Sequence, residues 1–128
     1  MIGLAFASLF LTCAKQNPEL TASIERGKEI YTEFCVVCHQ ESGLGVKNTF
    51  PPLAQSDYLQ NNKEASIRAI KYGMSGEITV NGQKYNSAMT RLGLTDTEVA
   101  DVMNYISNSW GNKLDEMVTD EEVSKIKK

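Results

Sequence analysis

The five residues Cys35-Val36-Val37-Cys38-His39 constrain this chain more than any other feature. The chain holds three cysteines and one histidine, and two of the cysteines and the histidine fall inside that window. At these frequencies C-x-x-C-H arises by chance in roughly 5 of 10,000 such chains. The spacing is therefore a signal, and the third cysteine, Cys13, needs its own explanation.

Three chemistries use a pair of thiols at this spacing. A structural zinc takes four protein ligands, and here there is no second Cys/His pair to complete the set. A redox-active C-x-x-C pair belongs with a thioredoxin-like βαβ pattern, which is absent from the sequence. The third chemistry is covalent haem attachment. Two thiols three positions apart at a helix end can each add to one haem vinyl group, and a histidine directly after them can coordinate the iron. The expectation is one haem c, with its iron, held by Cys35 and Cys38 with His39 as an axial ligand.

The rest of the composition fits a modest host for such a group. A chain of 128 residues suits one domain and buries a small apolar core, to which a large flat cofactor adds surface. Hydrophobic residues make up 41% and charged residues 23%, ordinary values for a globular protein. Net charge is -3, and the one dense basic run is Lys125, Lys127 and Lys128, so no nucleic-acid partner is expected.

The first residues read as an address. Ile2 to Thr12 is an apolar run too short to span a bilayer as a helix but suited to a signal h-region. The run ends at Cys13 and turns polar at once. A short apolar run ending at a cysteine resembles a bacterial lipoprotein signal, which implies a lipid on Cys13. No Lys or Arg precedes the run, and Thr12 stands where a small residue is usual. Lipidation, ordinary cleaved export and an uncleaved short anchor all place the domain outside the cytoplasm, on the periplasmic side. The expected organisation is an export signal over 1–13, a polar tether over 14–21, a haem domain over 22–112 and a polar tail over 113–128.

Within the domain, Ile24, Gly27, Tyr31 and Phe34 share one face of a helix expected from about Thr21 to Cys35. Gln40 to about Asp57 reads as loop, since Gly43, Gly45 and Pro51-Pro52 oppose regular helix. A second helix is expected over about Asn62 to Tyr72, capped by Asn61 with Glu64 three residues on, and stopped by Gly73 and Gly76. Asn81-Gly82 is a turn across which Ile78-Thr79-Val80 and Gln83-Lys84-Tyr85 can pair. Thr95 and Glu98 form a capping box for a last core helix, with Leu94 and Val99 as its staple. Val99, Val102, Met103, Ile106 and Trp110 form its buried stripe, Tyr105 lies at the edge, and Gly111 ends it. Thr119 and Glu122 repeat the capping box, and Val118 and Val123 the staple, in a short tail helix expected to have little to bury.

At this point the residues identify a family. From about Thr21 to Asn112 the chain resembles the single-haem class I cytochromes c. The resemblance is carried by Gly27 and Tyr31, CVVCH at 35–39, Gly43-x-Gly45, Phe50-Pro51-Pro52-Leu53-Ala54, Gly82 and Tyr85, and LTDTEVADVMNYISNSWGN at 94–112. It implies an all-α fold of three or more helices packed around one covalently attached haem, with a small irregular or hairpin segment near 77–87. It implies that Gly27 packs against the last helix near Tyr105. It also implies that a carbonyl of Pro51 or Pro52 accepts a hydrogen bond from His39 Nδ1–H, which fixes the tautomer and strengthens the ring as a ligand.

The ligand on the other side of the iron is left open by the residues. With one histidine, bis-histidine ligation is excluded. Met103 lies on the helix stripe and Met117 in the tail, so Met74 and Met89 remain, or else an open site. The resemblance implies Met89, although Thr90 follows it where the family usually has proline. A thioether favours Fe(II) and raises the potential relative to two nitrogen ligands. An open iron would instead bind small gases or peroxide.

The expected function is electron transfer outside the cytoplasm on a single c-type haem. Nothing in the sequence resembles an enzyme constellation, and no small-molecule substrate is expected. Partners would be redox proteins that dock transiently, such as a respiratory dehydrogenase, reductase or oxidase, with a membrane reached through a lipid anchor. The alternatives are a haem sensor or peroxidase-like protein, and a subunit of a larger dehydrogenase or reductase complex.

Overall fold

A computed structural model describes residues 17–114 and 116–128. The expected signal, with Cys13, lies outside the described residues. Six helices and one hairpin follow in order: α1 (Pro18–Phe34), α2 (Val36–His39), α3 (Asp57–Asn61), α4 (Lys63–Tyr72), β1 (Ile78–Val80), β2 (Gln83–Tyr85), α5 (Asp96–Ser107) and α6 (Asp120–Lys125). Among the described residues no helix is long and apolar enough to cross a membrane.

The scaffold is the crossing of α1 over α5, the largest contact between elements. It is close because Gly27 has no side chain. A Cβ there would lie 2.5 Å from the Asp101 carbonyl carbon and 2.8 Å from Tyr105 Cβ. Polar groups lock the same crossing. Asp101 is 4% exposed, and its carboxylate accepts from Ser23 Oγ at 2.6 Å and from Arg26 Nε and an Arg26 terminal nitrogen, each at 2.7 Å. A buried carboxylate without these donors would cost several kcal/mol, on the order of 3–5. Asn104 extends the network. Its amide donates to Ser23 Oγ at 2.8 Å and to the Val118 carbonyl at 2.9 Å, and its carbonyl accepts from Val118 N–H at 2.8 Å.

The core lies on the other face of α5, where Val99, Val102, Met103 and Ile106 are all buried. The capping box of Thr95 and Glu98 forms as expected. The helix stops earlier than expected, at Ser107, and Trp110 stands after it with a left-handed backbone. The hairpin pairs Ile78 with Tyr85 and Val80 with Gln83.

The fold departs from expectation at three further places. The first helix begins at Pro18 rather than Thr21, because Asn17 Oδ1 accepts from Glu19 N–H and Pro18 needs no partner at the first helical position. Four residues expected as tether are therefore helix. A separate helix, α3, precedes the second expected one. Ser56 caps it by accepting from Leu59 N–H, and Asn61 ends it rather than capping α4. The tail helix was expected to have little to bury, yet Val118, Val123 and Ile126 are buried against the core. A six-residue helix is unstable alone, so α6 exists through this docking. Thr119 accepts from Glu122 N–H at its start.

Candidate functional site

The thiols and the histidine are placed by a helix that breaks and restarts. The α1 ladder closes with Cys35 N–H on the Tyr31 carbonyl. The chain then makes one further turn, α2, which carries Cys38 and His39. Gln40 leaves this turn with a φ of 65°. The bend is held by aromatic donors: Tyr31 Oη donates to the Gln40 carbonyl at 2.6 Å, and Trp110 Nε1 to the Glu41 carbonyl at 2.9 Å. Tyr31, Tyr105 and Trp110 pack as a triangle with ring centroids 5.2–5.7 Å apart, a favoured aromatic range. The α1–α5 crossing and the bend after the motif are thus one assembly.

His39 is held from both ends. Its carbonyl accepts from Gly45 N–H at 2.9 Å. Its Nδ1 lies 3.0 Å from the Pro51 carbonyl, which can only accept, so the ring carries its proton on Nδ1 and leaves Nε2 as the lone pair. Of the two prolines the resemblance implied, Pro51 makes the contact. Burial pulls the ring's pKa below its ordinary value, against a smaller opposing pull from the Pro51 carbonyl. Asn112, 5% exposed, anchors the proline loop from the far side. Its amide donates to the Leu53 and Ile106 carbonyls, both at 2.8 Å, and its carbonyl accepts from Gln55 N–H at 2.7 Å.

Burial pushes the Cys35 thiol up to about 11, with Cys38 adding to the effect. A redox-active dithiol needs the opposite shift. Among the described residues no group of three or more His, Cys, Asp or Glu side chains is placed to share a metal ion.

Beside His39 lie two adjoining hollows. Cys35, His39, Pro51, Met74, Ile78 and Met89 line both. The inner one is walled by Leu59, Ala69, Ile70, Val102 and Ile106, and the outer one reaches Cys38 and Tyr85. An apolar slot with both thiols and one imidazole lone pair on its lining fits a flat, apolar, iron-bearing macrocycle. The walls from α3 and α4 were not assigned to the site from sequence, although the Ile67–Ile70 spacing was a signal.

Met74 and Met89, the two methionines left open, form an isolated antiparallel bridge. Each N–H donates to the other's carbonyl at 2.9 Å. Residues paired this way project their side chains to the same face, which is why both line the hollows. The pairing depends on Gly73, which has a φ of 77° and would carry a Cβ 2.7 Å from the Met89 carbonyl oxygen.

The family model described as cytochrome c matches residues 24–110. The chain is 38% identical over 110 residues to cytochrome c-552 of Thermus thermophilus, covering 79% of this chain and 83% of that one. It is 32% identical over 111 residues to the cytochrome c subunit of a quinone alcohol dehydrogenase of Gluconacetobacter polyoxogenes, covering 84% of this chain but 23% of the subunit. A gluconate 2-dehydrogenase cytochrome c subunit of Pantoea cypripedii is 29% identical over 107 residues, and the match covers 24% of its length.

Proposed function

The chain belongs to the cytochrome c family and carries electrons on a covalently attached c-type haem, and from that premise we propose that Cys35 and Cys38 bind the haem, with His39 and Met89 as the iron's two axial ligands. The supporting observation is the shared lining: the sole histidine, a thiol and both candidate methionines border one apolar slot. The haem supplies one-electron chemistry between Fe(III) and Fe(II).

The protein's residues determine how readily that exchange occurs. The Pro51 carbonyl orients the His39 ring and strengthens its donation. Met89 gives a soft thioether that favours the reduced state. Leu59, Ile70 and Val102 exclude water, so little surrounding structure has to reorganise when the charge changes. With both axial positions filled by the protein, the chain is a carrier rather than an enzyme.

Its partners are redox proteins. Val37 within the motif, Phe34 just before it, and Leu44 and Val46 after it are exposed apolar side chains. Exposed apolar side chains beside the haem-attachment motif suit brief docking through a small contact. A respiratory dehydrogenase, reductase or oxidase would fill that role. We place the mature protein on the periplasmic side, held to a membrane by a lipid on Cys13. Labelling with a radioactive fatty acid, compared between the natural chain and Cys13→Ala, tests the anchor.

The ligand set is tested by substitution. Met89→Ala should keep the haem attached, lose the weak red sulfur-to-iron absorption of the oxidised state and lower the potential. Met74→Ala should keep that absorption. The reverse pattern would transfer the role to Met74. Rapid carbon monoxide binding by the reduced natural protein would instead establish an open site and a sensor or peroxidase-like function.

A further inference from the structure

The C-terminal segment lies against the end of α4, the helix that leads directly into the methionine bridge. Lys71 Nζ donates to the Val123 carbonyl at 2.9 Å and pairs with Asp96 at 2.9 Å. Tyr72 Oη donates to the Ile126 carbonyl at 3.0 Å. Val123 lies in the last turn of α6 and Ile126 is its C-cap. The Val123 carbonyl also accepts from Ile126 N–H at 3.1 Å, so the α4 donors add to the helix's own closing bond. One residue after Tyr72 comes Gly73, and then Met74, paired with Met89. The last turn of α4 is therefore tied to the tail on one side and to the methionine bridge on the other. The Lys71 side chain is only 14% exposed, so this is not a loose surface ion pair.

We propose that Lys71 and Tyr72 are positioning residues for the sixth iron ligand, and that the docked tail, residues 118–126, keeps Met89 in place through them. This rests on the assignment of Met89 made above. Tail docking and bridge closure are then coupled states, and the coupling is reciprocal. Loss of one net hydrogen bond raises the population of an opened state about fivefold, and loss of two about thirtyfold. Opening of the bridge frees the iron for an external ligand without unfolding the domain.

The test uses the haem-loaded full chain. Tyr72→Phe removes one hydroxyl, and Lys71→Met removes the ammonium but keeps most of the stem. Asn17→Ala, which removes the cap of α1 and none of the hydrogen bonds between α4 and the tail, is the control for a general loss of stability. The readout is the rate of carbon monoxide binding to the reduced protein, alongside the red absorption of the oxidised protein. Both variants should keep the absorption. Tyr72→Phe should bind carbon monoxide about fivefold faster, Lys71→Met, which loses the Asp96 pair as well as the Val123 bond, at least about fivefold faster, and the double variant at least about thirtyfold faster. Asn17→Ala should bind at the natural rate. Reciprocally, Met89→Ala should speed hydrogen exchange at the Val123 and Ile126 amides. If both α4 variants bind no faster than Asn17→Ala, the tail does not position Met89 and the proposal is overturned. Retention of the red absorption in Met89→Ala is a separate result, which removes the ligand assignment itself.

Discussion

Gly27→Ala sets two physical effects of known size against each other. In an isolated helix the change is favourable by about 1 kcal/mol. Here the new methyl would sit 2.5 Å from the Asp101 carbonyl carbon and 2.8 Å from Tyr105 Cβ. Carbon atoms prefer about 3.5–4.0 Å, so α1 and α5 must part by roughly 1 Å. Neither obstacle can swing aside, since one is backbone and the other is fixed to it. Overpacking of this kind costs about 1–3 kcal/mol, and the upper end applies because the same movement stretches the Ser23 and Arg26 bonds to Asp101. The net loss is about 2 kcal/mol. For a domain of this size that lowers the thermal midpoint by about 8 °C. Thermal unfolding of the haem-loaded protein, followed by far-ultraviolet circular dichroism, measures it. A midpoint equal to or above that of the natural chain would mean that helix propensity dominates and that the crossing is not close.

Three other outcomes follow from the same geometry. Asn104→Ala leaves the Val118 N–H and carbonyl buried without partners, so urea unfolding should show a loss of about 2–4 kcal/mol; a loss under 1 would contradict the network. Gly73→Ala places a strained left-handed residue against the Met89 carbonyl, so the oxidised protein should lose its red absorption while keeping its haem, and an unchanged spectrum would count against the bridge as the support of the ligand. Burial holds the His39 ring below its ordinary value of 6.5, so folding favours the neutral ring. That contribution is complete above pH 6.5 and is lost as pH falls below it, and an iron bond to the same ring acts in the same direction. The thermal midpoint should therefore fall between pH 6.5 and 5, before the carboxylates titrate; a rising midpoint would contradict this.

The parts of the fold legible in the sequence were those written in short-range patterns. The Thr95–Glu98 capping box, the Asn81-Gly82 turn and the Val99–Ile106 stripe each lie within one element, where spacing alone decides geometry. The start of α1 carried a local signal too, an Asn-Pro pair, but the polar residues after Pro18 read equally well as tether. The docking of α6 was illegible for a different reason. Its α4 partners, Lys71 and Tyr72, lie some fifty residues earlier, and a short polar helix with a single valine gives no sign of where it docks. Nothing local marks Asp101 and Asn104 as buried, because the partners that satisfy this carboxylate and amide include Ser23 and Arg26 from the other end of the chain.

The site divides the same way. Cys35, Cys38 and His39 are adjacent in sequence, so their chemistry was readable from spacing. The Pro51 carbonyl and the Met74–Met89 bridge are contacts across loops, and no periodicity reports them. The bridge also explains why the residues alone left both methionines open. The two are backbone partners on one face, so pattern and burial treat them alike.

The central claim is a covalently held haem closed on both sides by this chain, and the absorption spectrum of the natively matured protein in both redox states tests it most directly. The account predicts sharp reduced-state bands that carbon monoxide converts only slowly, at the rate at which Met89 opens, and a weak red sulfur-to-iron band in the oxidised state that disappears in Met89→Ala. An oxidised spectrum without that band, together with immediate conversion to a carbon monoxide adduct on reduction, would contradict it.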